Sequence, residues 1–237
     1  TTEIYTLSLH DALPISLLSE EEVSWRGGFY NFDSLTAMPR PMTENGPPIM
    51  MAVLNPEGIY ACTKRGFNIM TTPLAGNHQL MLDQVDGFNR AKSEMGNTGK
   101  DLTLSLSRGA FIIKDEADRK AKLEQAYEYF ARFDNVFTGP GIVKNGMIEI
   151  LPRKQTMAEL ADSLLICTPE EMIDQLAVYY EIGIDRMILN MNFGASHADT
   201  MASIQRFSEE VMPNFTSRNV NASSVPINIQ IKSNDSC

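Results

Sequence analysis

Four short apolar runs, separated by helix-length amphipathic segments, constrain this chain more than any other feature. The runs are Ile49–Val53 (I-M-M-A-V), Phe67–Thr71 (F-N-I-M-T), Leu102–Ile113 (L-T-L-S-L-S-R-G-A-F-I-I) and Arg186–Asn190 (R-M-I-L-N). Short apolar runs of this kind suit strands buried on both faces, as in a parallel sheet. Between them, His78–Met95 carries Met81, Val85, Phe88 and Ala91 at helical spacing. Asp115–Phe133 does the same with Ala117, Ala121, Leu123, Ala126, Tyr127 and Phe130, and Thr156–Leu165 predicts a shorter helix. Strands alternating with helices imply βαβ units. A closed barrel of such units needs eight strands. The reading is therefore α/β, the C-terminal half of a (β/α)8 TIM barrel with its N-terminal strands missing.

Capping signals punctuate the pattern. Asn55 can cap a helix that Pro56 opens, with Gly66 as its stop. Thr168-Pro169-Glu170-Glu171 has a capping box in the right order, followed by an inner face of Ile173, Leu176, Ala177 and Tyr180 and a stop at Gly183. A last helix starts at Ser196 or His197, aligns Met201, Ile204, Phe207 and Val211, and ends at Pro213. Ser19–Pro48 is rich in proline and aromatics and reads as an extended surface loop that Trp25, Phe29 and Tyr30 pin down. Asp134–Lys154 reads as looser, and residues 216–237 as a loose Ser/Asn-rich tail.

Composition excludes several classes. Net charge is −10 with no Lys/Arg cluster, which argues against nucleic acid and anionic membrane surfaces. No apolar run approaches the roughly 18 residues of a membrane span. Three scattered cysteines, Cys62, Cys167 and Cys237, fit reduced thiols in a cytoplasm. The three histidines are isolated and no C-x-x-C occurs, so no metal site is expected.

The N-terminus stands apart. Thr1–Ile15 (T-T-E-I-Y-T-L-S-L-H-D-A-L-P-I) reads like a frame translation of a widely used short-read sequencing adapter. Residues 1–16 are therefore expected to be non-native, 17–215 to be a partial barrel cut from a longer protein, and 216–237 a tail.

From Val23 to Phe215 the chain resembles the bacterial luciferase-like flavin-dependent monooxygenases. The resemblance rests on motifs in order: Gly28-Phe29-Tyr30, Pro39-Arg40-Pro41, Pro47-Pro48-Ile49, Asn55-Pro56-Glu57-Gly58, Ala61-Cys62-Thr63-Lys64-Arg65-Gly66, Cys167-Thr168-Pro169-Glu170-Glu171, and a closing helix from Phe207 to Pro213. Cys167 replaces the family's usual Gly, and Asn55 and Gly58 stand where hydroxyl residues are common. The resemblance implies an enzyme that uses reduced FMN, delivered by a separate flavin reductase, and O2 to oxidise a small organic substrate. Behind this leading reading it implies two alternatives: a deazaflavin-dependent reductase, or a non-catalytic partner subunit of a heterodimer. The full-length protein is expected to be a homo- or heterodimer.

The family's catalytic and isoalloxazine-binding side chains lie largely on strands absent here, so no catalytic residue is named. A flavin phosphate is a dianion, and a helix N-terminus offers it free N–H groups. Glu57, Gly58 and Ile59 can donate N–H groups to it, and the Asn55 side chain can donate as well. Arg108, read at the end of its strand, and His197, after the last strand, are candidates for contact with phosphate or substrate. The strand methionines Met50, Met51, Met70, Met187 and Met191 read as core.

Overall fold

A computed structural model describes residues 13–42, 47–74 and 78–216. Most of the expected non-native segment, and the tail beyond Thr216, lie outside the described residues. Two units cluster separately: Thr1–Arg108 with Tyr179–Leu189, and Gly109–Val178 with Asn190–Cys237.

In the first unit, helix α1 (13–19) leads to an antiparallel hairpin, β1 (Val23–Arg26) and β2 (Asn31–Leu35), with Trp25 opposite Phe32 and Arg26 opposite Asn31. The expected extended loop is thus corrected here, since no proline falls between Val23 and Leu35 to block a ladder. Phe29 and Tyr30 sit in its turn and are exposed rather than pinned down.

The parallel core follows as β3 (Met50–Ala52), α2 (Pro56–Lys64), β4 (Asn68–Thr71), α3 (His78–Met95), a 3-10 turn (Gly96–Gly99) and β5 (Leu104–Ile112). Ala52 pairs with Met70, and Thr71 pairs with Leu106. Strand β9 (Arg186–Asn190) also pairs with β5. Asp185, just before β9, donates its N–H to the Leu104 carbonyl at 3.0 Å and accepts the Leu104 N–H on its carboxylate at 2.7 Å.

Helix α3 buries Met81, Val85, Phe88 and Ala91, the face its spacing predicts. Strand β3 departs from expectation. It is the outer strand of its ladder, and Met50 and Ala52 are exposed, so it is not buried on both faces. Of the strand methionines, only Met191 is buried, while Met51, Met70 and Met187 are half-buried.

In the second unit, β5 continues into Ala110–Ile112, which pair in parallel with β8 (Leu165–Cys167). The helix predicted over Thr156–Leu165 overlaps this strand only at Leu165. The helix, α5 (Met157–Ser163), stops sooner and starts on a capping box between Thr156 and Glu159. Hydrogen bonds from Thr156 hold the Glu159 carboxyl below its usual range.

Helix α4 (Glu116–Phe137) turns inward part of the expected face, with Ala126 buried and Leu123, Tyr127 and Phe130 half-buried. Lys122, Ala126, Ala131 and Asn135 are buried, while Ala117 and Ala121 are exposed. Strands β6 (Val143–Lys144) and β7 (Met147–Ile148) form a small antiparallel hairpin in the segment read as loose.

Helix α6 (Pro169–Glu181) carries the predicted capping box. The Thr168 N–H donates to the Glu171 carboxylate at 2.8 Å, and the Glu171 N–H donates to Thr168 Oγ1 at 3.3 Å. Its inner face uses Tyr179 instead of the exposed Tyr180. Cys167, just before the box, is buried, and that burial, with Glu171 nearby, pushes its thiol up to about 12.

Helix α7 (His197–Arg206) continues through a π-helical turn (Phe207–Val211) into α8 (Pro213–Thr216). Pro213 opens this last turn instead of ending the helix, as proline does at a first helical position. Of the expected inner residues, Val211 is fully buried and Phe207 half-buried, while Met201 and Ile204 are exposed and Ser203 is buried in addition.

Candidate functional site

The turn after β3 brings Asn55, Glu57, Gly58 and Ile59 together. Asn55 is extended (φ −79°, ψ 129°) and caps α2. Its Oδ1 accepts N–H groups from Glu57 at 2.9 Å and Gly58 at 3.3 Å. The Ile59 N–H donates to the Asn55 carbonyl at 2.9 Å. Two backbone donors thus converge on one oxygen atom. A Cβ on Gly58 would lie 2.9 Å from Val53 Cγ1, so this position accepts only glycine without a shift.

Three residues of α3, spaced three apart and so on one helix face, hold this turn in place. Buried Gln84 donates from Nε2 to the Leu54 carbonyl at 2.8 Å and the Thr72 carbonyl at 3.2 Å, joining the turns after β3 and β4. Gly87 lets α3 approach α2, because a Cβ there would sit 2.5 Å from the Pro56 oxygen. Arg90 pairs with Glu57 at 2.9 Å and lies 4.6 Å from the Tyr60 ring centroid.

The Arg90–Glu57 hydrogen bond raises the Arg90 pKa. Beyond it, the Tyr60 hydroxyl donates to Glu94 at 2.7 Å, and Lys64 reaches the same carboxylate at 3.3 Å. The hydrogen bond raises the Tyr60 pKa and, with Lys64, lowers that of Glu94. None of the three supporting residues was singled out from sequence. The available signal was a Gln and a Gly interrupting an otherwise apolar helix face.

Arg108 is not at the end of its strand, since β5 runs on to Ile112. It lies two residues past Leu106, the partner of Thr71, and is buried. Strand alternation puts it on the same side as Leu104 and Leu106, both fully buried. His197 is exposed, opens α7 behind its Ser196 cap, and belongs to the second unit.

The same helix start carries a charge cluster that sequence reading missed. Asp199 meets the buried Lys122 at 3.0 Å and Lys114 at 3.3 Å. Lys122 also lies 3.9 Å from Asp118 and 5.0 Å from the Phe111 ring centroid. Hydrogen bonds from Lys122, Ser196 and Lys114 lower the Asp199 carboxyl to about 2. A second junction gathers on Arg119. It bonds Glu171 at 2.7 Å, Glu116 at 2.9 Å and the Ile166 carbonyl at 2.9 Å. Among the described residues, no group of three or more His, Cys, Asp and Glu comes together to hold a metal ion.

The family model described as luciferase-like monooxygenase matches residues 13–186. This chain belongs to the luciferase-like monooxygenase family. The Asn55 turn and Arg108 lie inside the matched residues; His197 lies beyond them. The oxygenase component of the flavin-dependent trigonelline monooxygenase of Acinetobacter baylyi is 24% identical over 220 residues, covering 90% of this chain and 61% of that protein.

Among solved structures, an F420-dependent secondary alcohol dehydrogenase with an F420-acetone adduct matches at TM-score 0.67 and 16% identity, over 88% of this chain and 60% of that one. The oxygenating constituent of 3,6-diketocamphane monooxygenase from the CAM plasmid of Pseudomonas putida, in complex with FMN, matches at 0.60 and 12%, over 88% and 63%. These structural likenesses show the luciferase-like α/β fold. The chain spans about three-fifths of the length of each of these relatives.

Proposed function

We propose that this chain is the C-terminal half of a (β/α)8 flavin-dependent monooxygenase. The enzyme takes reduced FMN from a separate flavin reductase and uses O2 to oxidise a small organic substrate. The convergence of the Glu57 and Gly58 amides on one oxygen, at the carboxyl end of a parallel strand, carries this reading. The turn fits a phosphate. Both amides now serve an oxygen of Asn55, and the same donors suit a phosphate oxygen, with Asn55 Nδ2 as a third donor. Arg90 neutralises the Glu57 carboxylate, so the turn offers N–H groups without an uncompensated negative charge. Bound reduced flavin supplies the electrons for oxygen chemistry; this chain's residues anchor and orient it.

The outer strands support the half-barrel reading. Met50 on β3 and Ile188 on β9 are more than a third exposed, as apolar faces are when further strands would cover them. In this reading residues 1–16 are foreign, and the catalytic groups lie on upstream strands. The chain alone then binds flavin poorly and turns over no substrate. The relative's printed role as an oxygenase component favours a reductase partner. The buried thiols of Cys62 and Cys167 favour a reducing, cytoplasmic setting. No helix among the described residues is long and apolar enough to cross a membrane.

Asn55→Asp in the full-length protein tests the phosphate site. Aspartate caps α2 as well as asparagine does but repels a dianion. FMN affinity should fall at least about tenfold, roughly 1.4 kcal/mol, while riboflavin, which lacks the phosphate, binds as before. Equal FMN affinity in the variant overturns the assignment. The fold-level likeness to the F420 enzyme favours a second reading, a deazaflavin cofactor. Titrating the same protein with F420 and with FMN separates the two.

A further inference from the structure

We propose that helix α4 and the segment Arg153–Met157 form a binding site for a small monocarboxylate with an apolar body. The proposal is independent of the flavin reading, and every residue it uses belongs to the second unit. It starts from Arg153, whose side chain is only 4% exposed. Nε of Arg153 donates to the Asp134 carboxylate at 2.7 Å. The guanidinium carbon lies 5.6 Å from the Tyr127 ring centroid and 5.5 Å from that of Phe130. Nη1 is buried and finds no acceptor among the described residues. Nearly all buried donors in folded proteins are paired. A charged donor left over in this way points to an acceptor supplied from outside the chain. Tyr127, Phe130 and Asp134 are each half-buried, so the guanidinium lies just beneath the surface, within reach of a ligand that shifts one ring.

The same stripe of α4 carries an apolar groove. Lys120, Leu123, Tyr127, Phe130 and Asp134 follow one another at spacings of three or four residues, which aligns them along one side of the helix. At the Lys120 end, Glu116, Arg119, Lys120, Leu123 and Glu124 line a groove of about 260 Å³ with Met157 of α5. Tyr127 stands one turn beyond Leu123, about 5.4 Å along the axis, and joins the groove to Arg153. The segment opposite is fixed at both ends. Asp134 holds Arg153, and the capping box of Thr156 and Glu159 sets the first turn of α5 at Met157. Walls held this way have little order left to lose on binding.

The chemistry of the two parts selects the ligand. A guanidinium matches a carboxylate, whose two oxygens accept parallel N–H bonds. Asp134 takes Nε, so the ligand's acceptor belongs at the Nη groups. Leu123 is half-buried and Met157 is 37% exposed, and both suit a hydrocarbon body. The groove is just smaller than the roughly 300–1,000 Å³ of drug-sized pockets, so its occupant is small. The lining charges cancel, Arg119 and Lys120 against Glu116 and Glu124. A dianion such as phosphate therefore meets no excess of positive charge, while a single carboxylate needs only the Arg153 fork.

Isothermal titration of the 237-residue chain with benzoate, its neutral analogue benzamide and inorganic phosphate decides the matter. Benzoate should bind with a dissociation constant in the millimolar range, the scale for so small a ligand. Benzamide and phosphate should bind at least about tenfold more weakly. Arg153→Gln should weaken benzoate at least about tenfold and bring it level with benzamide. Met157→Glu leaves Arg153 in place and sets a negative charge against the bound carboxylate. Its position is exposed and opens α5, where an acid is well tolerated, and an unchanged circular dichroism spectrum will confirm its fold. It too should weaken benzoate at least about tenfold. No benzoate binding by the parent, equal affinity for benzamide, tighter binding of phosphate, or full benzoate affinity in Met157→Glu overturns the proposal.

Discussion

Ser203 Oγ accepts the backbone N–H of Ile112 at 2.7 Å, with Ser203 fully buried. Arg206, one turn further along α7, donates to the Ile112 carbonyl at 2.6 Å. The last helix thus docks on the end of β5 through polar groups. Ser203→Ala leaves a buried N–H without its acceptor and should cost about 1–3 kcal/mol. The urea midpoint measures this, and a midpoint equal to the parent's would show that the bond carries no stability.

Asp185 performs the matching task at the start of β5, where its two bonds to Leu104 set β9 against that strand. Leu104 is fully buried while Asp185 is exposed, so the side chain brings an acceptor to an interior N–H. Asp185→Ala should destabilise by about 1–2 kcal/mol. Asp185→Asn, which keeps an acceptor oxygen, should recover most of the loss. Equal unfolding curves for the two variants would discount the bond.

Gly87→Ala is ordinarily a helix-stabilising change of about 1 kcal/mol. Here the new methyl would meet the Pro56 oxygen at 2.5 Å. The variant should therefore be less stable than the parent, and in the full-length protein it should weaken flavin binding by displacing the Asn55 turn. A gain in thermal midpoint with flavin affinity intact would contradict this account.

The Asp199 carboxyl has a depressed pKa, so its contribution to stability is present above about pH 4 and is lost as pH falls toward about 2. Asp199→Asn should flatten the acid limb of the stability profile between those limits and leave its shape near neutrality unchanged. Fluorescence-detected unfolding at stepped pH will record it. A parent profile with no fall in that window excludes the mechanism.

Local chemistry was the part of this fold most legible in sequence. The Asn55 cap, the Thr168 capping box and the inner face of α3 depend on residues within one or two turns of each other, which local spacing shows. Faces closed by polar groups were not legible. On α4 the buried positions include Lys122 and Asn135, each committed to a partner outside the helix, so apolar periodicity gives only part of the face. Helix α7 shows the same effect through Ser203.

The β6–β7 hairpin carried its signal openly in Val143-Lys144-Asn145-Gly146-Met147-Ile148, since Asn-Gly between apolar residues marks a tight hairpin. Its two-residue strands were too short for any periodicity to show. At the candidate site, the cap was visible. Its support from Gln84, Gly87 and Arg90 depends on two helices meeting, and nothing in the linear spacing shows that.

Cys167, buried at the end of β8, has a consequence for oxidative wear. A thiol reacts with peroxides and alkylating agents as its thiolate. With burial pushing its pKa up to about 12, this thiol carries almost no thiolate near neutral pH. Hydrogen peroxide is one oxidant that such a thiolate meets. Burial leaves this sulfur nearly inert to it, so Cys167 adds no weak point to the strand it closes.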